Sequence, residues 1–111
     1  MTLAPHFIAQ LTYLSTEEGG RKTNALSGYR PGIKFPFYSG LFSGVQNFIG
    51  TDFVCPGQVV NAEITLFDTD YFKEKLSEGL EFDFFEGPRL VGHGKILKLI
   101  HPELINIKRL L

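Results

Sequence analysis

Val59-Val60-Asn61-Ala62-Glu63-Ile64-Thr65-Leu66 alternates apolar and polar side chains with a period of two. Val60, Ala62, Ile64 and Leu66 share one face, and Asn61, Glu63 and Thr65 share the other. A helix would scatter these positions around its circumference, so the period predicts a half-buried strand. Cys55-Pro56-Gly57-Gln58 precedes it. There proline presets φ and glycine accepts φ > 0, which is the chemistry of a turn.

The rest of the chain has the same punctuation. His6 to Leu14 reads as a strand, with Phe7, Ala9, Leu11 and Tyr13 on one face. Ser15 to Gly28 reads as a loop. Ile33 to Tyr38 is a second expected strand, with Pro36 pushing it toward an edge or a bulge. Leu41 to Ile49 is a third, weakened by Gly44, and Val59 to Leu66 a fourth. Asp70 to Glu78 breaks the pattern and reads as a short helical insertion that Gly79 closes. Glu81 to Phe85 and Leu90 to Ile100 complete the set, joined by the tight turn Glu86-Gly87-Pro88-Arg89. Gly92 and Gly94 leave room for a close neighbour or a bend. Six short strands between Gly/Pro turns predict an all-β fold, a small antiparallel barrel or sandwich. Residues 101–111 form an apolar C-terminal tail, with Leu104, Ile105, Ile107, Leu110 and Leu111 expected to pack on the barrel or on another copy of the chain.

At 111 residues the chain is read as one domain, since domains most often run to roughly 100–150 residues. An apolar fraction of 43% argues for a packed core and against disorder. Eleven Phe are expected mainly inside it, because β-rich cores favour aromatics. The net charge of −1 removes any global basic field for nucleic acid, so an RNA contact must be local. One cysteine, Cys55, rules out an internal disulfide and any zinc site with two thiolates. No signal-peptide pattern and no apolar run near the ~20 residues of a membrane span is found, so the expected setting is cytoplasmic.

Candidate chemistry is thin. Gly92-His93-Gly94-Lys95 is not a phosphate loop, because Arg89 and Ile96 stand where that motif needs Gly and Ser/Thr. Asp68-Thr69-Asp70 does not continue as a calcium loop, with Lys73 and Gly79 at the sixth and twelfth places. His6, His93 and His101 are scattered, with no nucleophile motif beside them. Cys55 has no cationic neighbour in sequence to activate it. No catalytic residue, metal site or cofactor is expected, and an enzyme on the barrel is the weakest of the readings.

Two further segments carry a resemblance: Ser15-Thr16-Glu17-Glu18-Gly19-Gly20-Arg21-Lys22-Thr23, then Gly28-Tyr29-Arg30-Pro31. In order there follow the Pro56-Gly57-Gln58 turn, Glu78-Gly79-Leu80-Glu81-Phe82, and the hairpin Glu86-Gly87-Pro88-Arg89-Leu90-Val91-Gly92-His93-Gly94-Lys95-Ile96. This series resembles the C-terminal (third) β-barrel domain of bacterial elongation factor Tu over residues 6–100, without the GTPase domain. The resemblance implies a six-stranded antiparallel Greek-key barrel. It implies a non-catalytic binding module that contacts tRNA or a translation-factor protein. By match it implicates Arg21, Lys22, Arg30, Glu86, Gly87 and Arg89. Arg21 would donate to phosphate oxygens, and Gly87 would let a sugar or phosphate approach the backbone. Three positions depart from the family pattern: Gly32 stands for a Gln, Asp68 for a Lys and Pro88 for a Gly. A carboxylate at position 68 repels phosphate where an ammonium would attract it. The alternative is a protein–protein module outside translation, such as an immunity or inhibitor protein or an oligomeric scaffold.

Overall fold

A computed structural model describes residues 5–67, 72 and 75–100. Among these residues eight strands occur in the order β1 (Phe7–Tyr13), β2 (Ala25–Leu26), β3 (Gly32–Lys34), β4 (Phe42–Phe48), β5 (Phe53–Val54), β6 (Val59–Leu66), β7 (Glu81–Glu86) and β8 (Arg89–Leu99). Six close into an antiparallel barrel in the order β1-β6-β4-β3-β7-β8, and β2 pairs with β5 in a separate ribbon. Of the two all-β forms expected from the turn spacing, barrel and sandwich, the barrel is the fold. Closure leaves the barrel strands without an open edge.

The alternation sets which side chains enter the barrel. Phe7, Ala9, Leu11 and Tyr13 of β1 are buried, as are Val60, Ala62, Ile64 and Leu66 of β6. The two strands pair with Ala9 opposite Ala62, so the small residues of both sit side by side. Phe35, Phe48, Phe72, Phe82 and Phe84 fill most of the remaining interior, while Phe53 and Phe67 are exposed. His6 is a core-edge residue: its Nδ1 accepts the Leu66 amide at 2.9 Å.

The two glycines of β8 make room for aromatics. Gly92 lies opposite Phe84 and Gly94 opposite Phe82 on β7. A Cβ on Gly92 would meet the Phe84 ring and the Thr12 carbonyl oxygen, each at 2.5 Å. The rings of β7 therefore lie over the bare backbone of β8, and no larger residue fits.

Three expectations change. The second strand is only Gly32–Lys34; Pro36 and Phe37 form a turn that the Tyr38 amide closes onto Phe35 O at 3.3 Å, because proline cannot donate to a ladder. β2 falls inside the Ser15–Gly28 stretch read as loop, and β5 where no element was expected, since two-residue strands have no periodicity to detect. Of the expected helical turn at Asp70–Glu78, residue 72 and residues 75–78 are described: Lys75 N donates to Phe72 O at 3.0 Å, and no α-helix occurs among the described residues. Phe72 and Leu76 are buried there and extend the core. Asp68 and the apolar tail 101–111 lie outside the described residues. Among those residues no helix is long and apolar enough to cross a membrane.

Candidate functional site

The loop after β1 is built from its own short-range bonds. Ser15 Oγ accepts the Glu18 amide at 3.1 Å, and the Glu18 carboxylate accepts the Ser15 amide at 2.9 Å. This is the reciprocal pairing of a capping box, made here in a turn. Those bonds hold the Glu18 carboxyl below its usual range. The two adjacent glycines then serve different ends. Gly19 takes φ 98°, a left-handed backbone that other residues avoid. Gly20 has no such φ, but a Cβ there would sit 2.5 Å from Leu14 O. The turn folds back onto the end of β1, and only hydrogen fits between.

That fold-back delivers Arg21 to the β7–β8 hairpin. Arg21 Nη1 donates to Glu86 Oε1, and Tyr29 OH donates to the same oxygen at 2.7 Å. Arg21 Nε reaches Thr23 O at 3.2 Å, and Nη2 reaches Thr23 Oγ1 at 3.3 Å and Asn24 O at 3.1 Å. The guanidinium lies 4.7 Å from the centre of the Tyr29 ring, a cation–π distance. Thr16 Oγ1 donates to Arg21 O at 2.7 Å, tying backbone as well as side chain. Arg21 is only 18% exposed along its side chain, against 49% for Glu86.

The charges respond to this arrangement. The Tyr29 hydrogen bond, aided by Arg21, holds the Glu86 carboxyl below its ordinary range despite partial burial. Burial, then the bond to Glu86, pushes the Tyr29 phenol up to about 12, so it remains a donor at neutral pH. Burial alone would lower the Arg21 value, but Tyr29 and Glu86 outweigh it and raise it. Beneath the pair, Tyr13 OH donates to Gln46 Oε1 inside the barrel, and burial raises that phenol strongly. Gln46 Nε2 is buried with no hydrogen-bond partner among the described residues. The Tyr13 and Tyr29 ring centres are 6.5 Å apart. A continuous polar layer thus runs from the core to the surface at one end of the barrel.

The structure brings five of the six sequence-predicted residues to this end. Arg21 and Glu86 touch; Gly87, with φ 58°, opens the hairpin turn before Pro88; Arg89 Nη1 reaches Gly20 O at 3.5 Å. Lys22 follows Arg21 on the same loop and is exposed. Arg30 has a different neighbour, its guanidinium lying 4.4 Å from the centre of the Phe67 ring. Tyr29 completes the site, a role the sequence did not assign. It stood in the quoted Gly28–Pro31 segment, but its partner lies 57 residues away.

Two other features bear on chemistry. His93 Nδ1 lies 2.7 Å from Asp83 Oδ1 on the outer face, where His93 pairs across β1–β8 with Thr12. A cleft of about 350 Å³ runs past Gln10, Thr12, Asp83, His93 and Lys95. Both His93 and Asp83 are about half exposed. A larger cleft of about 630 Å³ is lined by Thr51, Phe53, Cys55, Val59 and neighbours. Among the described residues no group of three or more His, Cys, Asp or Glu is placed to hold a metal ion. No protein-family model matches the chain.

Proposed function

We propose that this protein is a non-catalytic binding module, acting in the cytoplasm and linked to translation through contact with tRNA or a translation-factor protein. The supporting observation is the joining of loop 15–24 to hairpin 86–89 by Arg21, Glu86 and Tyr29. Two segments 65 residues apart become one preorganised face, with Glu17, Lys22, Gly87 and Arg89 at its surface. A face fixed before binding loses less conformational freedom when a partner docks. The resemblance to the third domain of elongation factor Tu supplies the class of partner, and under it the strand order is read as a Greek-key winding. Binding of the full chain to tRNA and to translation factors, followed across a salt series, tests the proposal. Binding that weakens steeply with salt is the expected result for tRNA; no binding of either partner at ~50 mM salt, where phosphate contacts are strongest, removes the translation link.

A second reading, a protein-interaction module outside translation, has its own support. Leu26 and Phe53 face each other across the β2–β5 ribbon and are 68% and 47% exposed, while Ala25 and Val54 beside them are buried. Replacing both Leu26 and Phe53 by Ser discriminates the two. Loss of a captured protein partner, with tRNA affinity unchanged, favours the second reading.

A further inference from the structure

Arginines at nucleic-acid interfaces hold phosphate through N–H groups left open to the ligand. The Arg21 guanidinium has five N–H groups in a fixed fork. Four are engaged within the protein: by Glu86, by the carbonyl and hydroxyl of Thr23, and by Asn24 O. One face of the fork lies against Tyr29, and the side chain is 18% exposed. A phosphate held by two N–H groups of Arg21 would have to displace one of these partners, and Glu86 is itself held from the other side by Tyr29 at 2.7 Å. The neighbouring cations differ. Lys22 is exposed and makes no ion pair with a described residue. Arg89 is exposed, and its one side-chain hydrogen bond among the described residues, to Gly20 O, is at 3.5 Å.

We propose that Arg21 is a positioning residue that fastens loop 15–24 to hairpin 86–89, and that Lys22 and Arg89 present the positive charge to the partner's phosphates. This rests on the reading of the face as an RNA-binding surface. It assigns different work to adjacent residues: Arg21 fixes the shape of the face, and Lys22 and Arg89 supply its field.

The experiment exchanges the pair. Arg21→Glu, Glu86→Arg and the double exchange are made in the full chain, beside Lys22→Ala and Arg89→Ala. Amide hydrogen exchange over residues 18–24 reads the fastening without any ligand, and tRNA binding across a salt series reads the face. Each single exchange should speed amide exchange in the loop by about fivefold or more and weaken tRNA binding, since a charge-assisted bond is replaced by like charges. The double exchange keeps the net charge and restores the opposite-charge contact, so protection and affinity should recover together. Lys22→Ala should leave protection unchanged, Arg89→Ala, which gives up only the 3.5 Å contact to Gly20 O, should lower it less than either single exchange, and each should reduce the salt slope by about one. Recovery of protection without recovery of affinity would mean that Arg21 itself touches the RNA, which overturns the proposal. Single exchanges that leave protection intact would overturn it from the other side. If the unaltered protein binds no tRNA, the RNA reading falls with the roles given to Lys22 and Arg89. The exchange data then still decide whether Arg21 fastens the loop.

Discussion

At the end of the barrel where β1 begins, Phe7, Phe35, Phe72 and Phe82 meet ring to ring, with centres 5.2–5.9 Å apart. At the end where β1 finishes, Tyr13, Gln46, Tyr29, Glu86 and Arg21 form a polar layer reaching from core to solvent. The first is held by burial, which is non-directional and scales with area. The second is held by hydrogen bonds, whose net stabilisation is small and whose geometry is strict. The first end should therefore be the more costly to break, and the second the more sensitive to geometry.

Breaking the aromatic end should have the largest effect. Phe35 is fully buried, and its ring lies within 5.2–6.4 Å of Phe37, Phe42, Phe72 and Phe82. Phe35→Ala should cost about 3–5 kcal/mol in denaturant unfolding. A loss below ~1 kcal/mol would show that the Phe cluster does not close this end.

Gly92→Ala comes next, because its Cβ has no space between the Phe84 ring and Thr12 O. A loss of about 1–3 kcal/mol is expected from overpacking. Adding Phe84→Leu sharpens the result. Partial recovery places the clash at the ring, whereas no recovery places it at the β1 backbone.

Glu86→Gln probes the polar end and should cost only ~1 kcal/mol, because the carboxylate is half exposed and screened. Its pH dependence has a definite sign. The folded carboxyl lies below its ordinary value of 4.5, so the folded state binds that proton less readily. The contribution of Glu86 is present above that value and is lost as pH falls through the folded value. The stability gap between the unaltered protein and Glu86→Gln should therefore shrink in acid. A gap that stays constant from pH 7 to acid would show that the charge of Glu86 contributes nothing.

The smallest effect is expected on the outer sheet face. His93 and Asp83 are about half exposed, so His93→Ala should change stability by less than ~0.5 kcal/mol. A loss above ~1 kcal/mol would place a third stabilising centre outside the barrel interior.

The two ends also differed in how far they could be read from sequence. The strands that carry the aromatic end were visible because alternation is local: Phe7 to Tyr13 and Val60 to Leu66 each show their buried face within eight residues. The Pro56-Gly57 turn was visible for the same reason, and Gly57 does take φ 87°. β3 was overextended because Phe35 and Phe37 look like strand residues; they are buried or packed as turn residues around Pro36. The β2–β5 ribbon had no pattern to find. At the polar end, Arg21, Glu86, Gly87 and Arg89 could be named by their likeness to known motifs, but not their mutual arrangement. Nor could the likeness show that Arg21 donates to Glu86, Thr23 and Asn24 within the chain.

Sequence alone determined that the chain forms short antiparallel strands, which side of the main strands is buried, and where glycine and proline turn the backbone. These follow from side-chain period and from φ, which are properties of neighbouring residues. Only the tertiary structure decided that β1 closes against both β6 and β8, that Tyr29 and Arg21 share one Glu86 oxygen, and that Arg30 turns to Phe67 instead. Those partners are tens of residues apart, and barrel closure, which fixes the register of every strand at once, is what brings them within hydrogen-bond reach.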